Sequence, residues 1–199
     1  GGWDWGPCLM VMGVYAEPVL HLYEAARIES VQIRQHHDAH GHVRATAEIE
    51  LAAAAGTDAA IPVTFDLAGK TVTGEARVSG GSGRVSLDLD VGKPDLWWPS
   101  GHGAQPLYDA TVAIAGDAVT RRIGFRTLEV VTEKDEAGAS MIFRVNGVDI
   151  FAKGANWIPA DALPSKITRA RVAALLTAAV EANMNMIRVW GGGFYEFDA

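Results

Sequence analysis

The sequence contains a single cysteine, Cys8, among its 199 residues. One cysteine excludes an internal disulfide and a thiolate metal site, so any core must be held together by apolar packing alone. Long apolar runs are missing as well. The longest, such as 52–55 and 172–180, fall short of the roughly 20 residues that a membrane-spanning helix needs. We therefore expect no membrane-spanning helix and no membrane partner.

Positive charge is also scarce, with 17 Lys and Arg against 24 Asp and Glu and a net charge of -7. This balance argues against non-specific nucleic-acid binding, which needs a clustered positive field.

The sequence has no GxSxG elbow, no P-loop and no HExxH motif, and we expect no cofactor. What it does have is 49% hydrophobic residues, enough to predict a packed core.

Both ends of the sequence predict an internal piece of a longer protein. The first residues are Gly-Gly-Trp, with no initiating Met, no basic n-region and no h-region, so the sequence says nothing about a removed signal peptide. The last residues, 194–199, come where a new helix is indicated. The sequence leaves the cellular compartment open.

Short strands separated by turn residues dominate the first two thirds of the sequence. Residues 43–51 and 84–90 alternate between apolar and polar side chains, which is typical of half-buried strands. Seven strands are predicted, near 28–36, 42–53, 61–68, 71–79, 83–90, 107–115 and 118–126. Seven short antiparallel strands in about 100 residues favour an immunoglobulin-like β-sandwich.

The pattern changes after Arg126. Residues 141–152 predict a hairpin, because Asn146-Gly147 supplies the positive φ of a two-residue turn. Apolar residues that fall on one face, at 172, 175, 176, 179 and 180, predict a helix over about 168–182. Ser165 or Thr168 would cap its start and Asn183 would end it. A buried strand over 184–190 then completes a βαβ unit, which implies a parallel sheet. Two strands and one helix cannot bury both faces of such a sheet, so we expect the opening of a barrel or open sheet.

Polar and aromatic residues at the ends of these two parallel strands are the candidate functional residues. Asn156 and Trp157 end the first strand, and Arg188 and Trp190 end the second. In a (β/α) barrel, functional side chains lie at the carboxyl ends of the strands. The spacing of Arg188 and Trp190 places both on one face, which suits a polar ligand with an apolar surface, such as a sugar. The alternative is that the six tryptophans of the chain are core residues.

The run His36-His37-Asp38-Ala39-His40-Gly41-His42 raises the question of a metal site. It spans a predicted hairpin turn, where adjacent side chains point to opposite faces. We therefore favour a solvated loop and expect no physiological metal, although adventitious binding stays open.

Six motifs, taken together and in this order, closely resemble a β-mannosidase of glycoside hydrolase family 2. They are Trp3-Asp4-Trp5-Gly6-Pro7, Leu96-Trp97-Trp98-Pro99, Gln105-Pro106-Leu107-Tyr108, Ile123-Gly124-Phe125-Arg126-Thr127, 153–159 and 182–193. The resemblance covers nearly the whole chain and is weakest over 52–92. The last two motifs are the most specific.

The resemblance implies a mainly β architecture in three parts. Residues 1–26 would end a jelly-roll sugar-binding-like domain, 27–127 would form the immunoglobulin-like sandwich, and 128–199 would begin a (β/α)8 catalytic barrel. It also implies a retaining exo-β-mannosidase that releases terminal non-reducing β-D-mannose and uses two Glu that lie beyond Ala199. No catalytic residue would then lie within this chain, and the piece alone would be inactive.

Sugar-site residues carry over by motif. Asp4 would reach into the barrel mouth, Arg188 and Trp190 would line the mannose subsite, and Trp157 is a weaker candidate for the same wall. Related β-galactosidases and β-glucuronidases usually have a Ser-His-Tyr-Pro type sequence after this Arg. Here Val189-Trp190-Gly191-Gly192-Gly193 stands there, which favours a mannosidase.

Two alternatives stay open. One is a related exo-glycosidase, a β-galactosidase or an exo-β-glucosaminidase. The other is a non-catalytic sandwich that binds carbohydrate or protein. The truncated barrel segment, around Leu175, Leu176, Met186 and Val189, is expected to expose apolar surface and to drive self-association.

Overall fold

The computed structural model describes residues 12–14, 18–191 and 195. Within them the chain is mainly β, as predicted, with twelve strands, one α-helix and one short 3₁₀ helix. None of these helices is both long and apolar enough to cross a bilayer.

Seven strands form the larger part of the structure. They are β1 (Ala26–His37), β2 (Val43–Ala53), β3 (Ala59–Leu67), β4 (Lys70–Ser79), β5 (Ser82–Gly92), β6 (Tyr108–Ile114) and β7 (Asp117–Ile123). All seven predicted strands are confirmed, with ends that differ by a few residues. Their order is β1-β2-β5-β4-β3-β6-β7 and every pairing is antiparallel.

The strand order fits an immunoglobulin-like sandwich, with β1-β2-β5 forming one layer and β4-β3-β6-β7 the other. β4 joins the layers, because it pairs with β3 along its length but with β5 only over 77–79, beside their turn. A strand shared in this way lets one hydrogen-bonded sheet fold over on itself. The two edge strands then meet, and the Ile28 N–H donates to Asp117 Oδ2 across 2.7 Å.

The core lies between the layers and consists of the residues that alternation predicted to face inward. On β2, all five apolar residues from Val43 to Leu51 are at most 1% exposed. Phe65 and Phe125 are fully buried among them, and each large side chain removed from water in this way contributes about 1.5–3 kcal/mol. In the part of the chain that the structure describes, no polar or charged residue is fully buried, so apolar packing holds the sandwich together.

A small three-stranded sheet follows, in the order β10-β9-β8. It comprises β8 (Leu128–Val131), β9 (Ile142–Val145) and β10 (Val148–Ile150). The predicted hairpin is confirmed as β9–β10, with φ of 51° at Asn146 and 79° at Gly147, as a two-residue primed turn requires. β8 was not predicted, because its four residues show too short a pattern to indicate a strand.

The last elements form the predicted βαβ unit. They are β11 (Gly154–Trp157), a 3₁₀ turn (Pro164–Lys166), α1 (Arg169–Glu181) and β12 (Met186–Val189), and β11 and β12 are parallel. Of the two proposed caps, Thr168 is the one used, since its side chain accepts from the Arg171 N–H at 3.2 Å. Asn183 follows the helix with a φ of 56°, the left-handed conformation common after a helix end.

The division of the chain at residues 26 and 127 stays a prediction. The jelly-roll assignment falls largely on residues outside the described ones, since only 12–14 and 18–26 of that part are described. The barrel assignment rests on one βαβ unit.

Candidate functional site

Two polar side chains meet at the carboxyl ends of β11 and β12. The parallel register places Asn156 directly beside Arg188, and Arg188 Nη1 donates to Asn156 Oδ1 across 3.0 Å. Both side chains are exposed. Because functional groups of parallel α/β folds lie at the carboxyl ends of the strands, this pair marks the candidate site.

The two faces of the β11–β12 sheet differ in what covers them. A groove between the sheet and α1 is lined by Trp157 and Ile187 together with Leu175 and Ala179 of the helix, and Asn156 also borders it. A shallow cavity of about 270 Å³ is lined by Gly154, Asn156, Met186 and Arg188. Side chains alternate along a strand, so Asn156 and Arg188 occupy the face opposite the helix. That face would line the interior of a closed barrel.

The structure places the remaining predicted site residues as follows. Trp157 is half-buried and lines the groove beside the helix rather than the cavity of Arg188. Trp190 follows β12, and its N–H donates to the Trp157 carbonyl oxygen across 3.0 Å. Asp4 lies outside the described residues. The sugar-binding roles of all four residues stay predictions.

Asn185 is a positioning residue that sequence reasoning did not single out. Its Oδ1 accepts from the Lys153 N–H at 2.8 Å, and its Nδ2 donates to the Phe151 carbonyl oxygen at 3.1 Å and lies 3.3 Å from His102 Nε2. The Asn185 N–H also donates to the Lys153 carbonyl oxygen. One amide therefore ties the start of β12 to the segment before β11. The sequence feature that could have indicated this role is the position of Asn185 between Met184 and Met186, at the start of an apolar strand.

Trp97 and Trp98 have packing roles in the sandwich. A Cβ added to Gly124 would lie 2.7 Å from the Trp97 Cβ, so the indole packs directly on this glycine. The Arg126 guanidinium carbon lies 5.0 Å from the centre of the Trp97 ring, a cation–π arrangement. Gly103 is similarly close to Trp98. For these two half-buried residues the structure therefore favours a packing role outside the buried core over sugar stacking.

The histidine-rich segment forms the turn between β1 and β2, as predicted. Asp38 Oδ1 accepts from the N–H groups of His40 and His42, each at 2.8 Å. These backbone donors hold the pKa of the Asp38 carboxyl below its usual range. Partial burial lowers the pKa of His37 because it disfavours the charged ring. Among the described residues, no group of three or more His, Cys, Asp or Glu is arranged to hold a metal ion.

An immunoglobulin-like sandwich that leads into a parallel βαβ unit agrees with the architecture that the six motifs imply for a glycoside hydrolase. Residues 26–126 match the family model of the glycosyl hydrolases family 2. The chain belongs to this family. The matched range coincides with the seven-stranded sandwich and the residues just after it.

Relatives extend the similarity over the rest of the chain. Beta-mannosidase B of Emericella nidulans is 39% identical over 98% of this chain, and Beta-mannosidase B of Aspergillus niger is 37% identical over all of it. A crystal structure of beta-D-mannosidase from Dictyoglomus thermophilum has a TM-score of 0.74 and 32% identity, and covers 88% of this chain and 22% of that one. The present chain spans 24% of the length of the two fungal relatives.

Proposed function

We propose that this chain is the sandwich and the first part of the barrel of a retaining exo-β-mannosidase, which removes terminal non-reducing β-D-mannose. One observation carries the proposal: relatives named β-mannosidase B match nearly the whole chain, including the segment with Arg188 and Trp190. A related glycosidase with another sugar specificity would be expected to differ from this chain in the segment of Arg188 and Trp190.

The described geometry supports a role in sugar binding. Arg188 offers several N–H donors at the open face of the strand ends, and guanidinium donors bind hydroxyl and carboxylate oxygens. Trp190, two residues later, would supply an aromatic surface to the apolar side of the sugar ring. Asp4 would add a carboxylate acceptor from the preceding domain.

The acid–base and nucleophilic steps are assigned to two Glu beyond Ala199. In a retaining glycosidase one carboxylate attacks the anomeric carbon, and the other first protonates the leaving oxygen and then activates water. The present residues would bind and orient the terminal mannose during those steps. No cofactor takes part in this scheme.

Hydrolysis of a panel of aryl β-glycosides by the full-length protein tests the proposal, with the 199-residue chain as control. Cleavage of the β-mannoside by the full-length protein alone is the expected result. Preference for a β-galactoside or a β-glucosaminide would instead support the alternative of a β-galactosidase or an exo-β-glucosaminidase. Activity of the 199-residue chain by itself would overturn the placement of the catalytic Glu.

Apolar exposure on the βαβ unit leads to a second proposal, self-association of the chain when it is expressed alone. Leu175 and Leu176 are 45% and 44% exposed on α1, and Val189 is 56% exposed on β12, whereas Met186 is half-buried. Burial of this surface between copies would stabilise an oligomer. Sedimentation should show concentration-dependent association, and a monomer at high concentration would rule it out.

A further inference from the structure

The contact between Asn156 and Arg188 has only one chemically sensible orientation. All guanidinium nitrogens are donors, so the amide atom that faces Arg188 Nη1 at 3.0 Å must be Oδ1. The hydrogen bond therefore fixes the direction of both groups at once. The Asn156 Nδ2 then points away from the guanidinium.

Asn156 is the better anchored of the two partners. Its backbone lies within β11, directly beside Arg188 in the parallel ladder, and its side chain has only two torsions. The Arg188 side chain has four torsions and carries about 2 kcal/mol of rotamer entropy. The short Asn156 side chain thus determines where the guanidinium of Arg188 lies.

The partner of Arg188 is a neutral amide, whereas Arg34 and Arg144 each have a carboxylate partner. Arg34 pairs with Glu48 at 2.8 Å, and Arg144 pairs with Asp149 at 2.5 Å. In the described part of the chain, Arg188 takes part in no ion pair. An amide oxygen holds a guanidinium in place while leaving its charge and its other N–H donors for a ligand.

From this geometry we infer that Asn156 is a positioning residue of the sugar site, which holds the Arg188 guanidinium in the orientation that receives the terminal sugar. The inference rests on the proposed function. Asn156 of β11 would affect sugar binding only by holding Arg188 of β12, on the face of the sheet opposite α1.

Crystal structures of the full-length protein test the positioning itself, whichever sugar is cleaved. Asn156→Ala removes the acceptor, so the Arg188 guanidinium should leave its position. Asn156→Asp keeps an oxygen in the same place, so the guanidinium should stay. A guanidinium that keeps its position in Asn156→Ala would overturn the inference.

Kinetics of the same variants test the consequence, with the best substrate of the aryl β-glycoside panel. Asn156→Ala should lower kcat/KM by about 10–100-fold, the effect of a misplaced binding group. Asn156→Asp should recover only part of that loss, because it keeps the guanidinium in place but pairs its charge with a carboxylate. In an Arg188→Ala background, Asn156→Ala should add almost nothing, because its effect passes through Arg188. Full additivity of the Asn156→Ala and Arg188→Ala effects would contradict positioning.

A matched control exists on the sandwich. Gln32 Oε1 also accepts from an arginine, Arg34 Nη2, at 3.3 Å on the exposed face of β1, so Gln32→Ala should leave kcat/KM unchanged. The wild-type panel decides the proposed function separately. If wild type cleaves a sugar other than mannose, the proposed function fails. The double-mutant cycle of Asn156→Ala and Arg188→Ala, measured on the sugar that is cleaved, and the crystal structures still decide the role of Asn156.

Discussion

The Asn146 amide Nδ2 donates a hydrogen bond to the Trp97 carbonyl oxygen across 3.0 Å and links the β9–β10 turn to the sandwich. The same side chain accepts from the Thr127 N–H through Oδ1, also at 3.0 Å. Asn146 therefore has two roles, since it adopts the left-handed conformation of the turn and joins two parts of the structure. The first role can be filled by glycine, but the second cannot.

Substitutions at Asn146 should separate these roles. Asn146→Gly keeps the turn but loses both side-chain hydrogen bonds, each worth about 1 kcal/mol, so we expect a loss of about 1–3 kcal/mol in unfolding free energy. Asn146→Ala should lose about 1–2 kcal/mol more, because alanine is strained at positive φ. Denaturant unfolding measures both. A glycine variant as stable as wild type would show that the two side-chain hydrogen bonds of Asn146 together contribute nothing to stability.

Gly154 should tolerate no side chain. A Cβ at this position would overlap the Met186 carbonyl oxygen, which is backbone and cannot move aside without separating β11 from β12. Gly154→Ala should cost about 1–3 kcal/mol, and hydrogen exchange over 154–157 and 186–189 should become about 10–100-fold faster. Gly191→Ala is the matched control, since its Cβ would make only an ordinary contact with Tyr195 at 3.6 Å. Equal exchange in the two variants would refute this steric argument.

Thr168 should stabilise the start of α1 where Ser165 does not. Its side chain accepts from the Arg171 N–H, and loss of such a cap costs about 1 kcal/mol. Thr168→Ala should therefore speed hydrogen exchange in the first turn of α1 several-fold, whereas Ser165→Ala should leave it unchanged. If Ser165→Ala has the larger effect, the assignment of the cap is wrong.

The stabilising effect of the ionised Asp38 on the sandwich should be lost in acid. Its pKa is lowered from the ordinary 3.8 by the two backbone donors of the turn, so its stabilising effect is present above pH 3.8 and is lost as the pH falls through the lower folded pKa. Asn at this position keeps an oxygen acceptor but does not titrate. Thermal midpoints of wild type and Asp38→Asn, measured from about pH 5 down to pH 2.5, should converge as the pH falls. Parallel curves would contradict the role of the charged carboxylate.

Local sequence patterns were sufficient for most of the elements. Alternation predicted the strands of the sandwich, Asn146-Gly147 predicted the turn, and apolar periodicity predicted α1, because each of these signals acts over a few neighbouring residues. The same signals failed for β8, whose four residues are too few to show a period. They also left the choice of helix cap open between Ser165 and Thr168.

The candidate site shows the same division. The sequence by itself determined that Arg188 and Trp190 end one parallel strand and Asn156 and Trp157 the other, since motif and periodicity are local. Only the tertiary structure decided that Asn156 contacts Arg188, that Trp157 lines the groove beside α1, and that Asn185 joins two segments. The physical reason is that strand register and the side of the sheet covered by the helix depend on packing between distant segments, which no short stretch of sequence encodes.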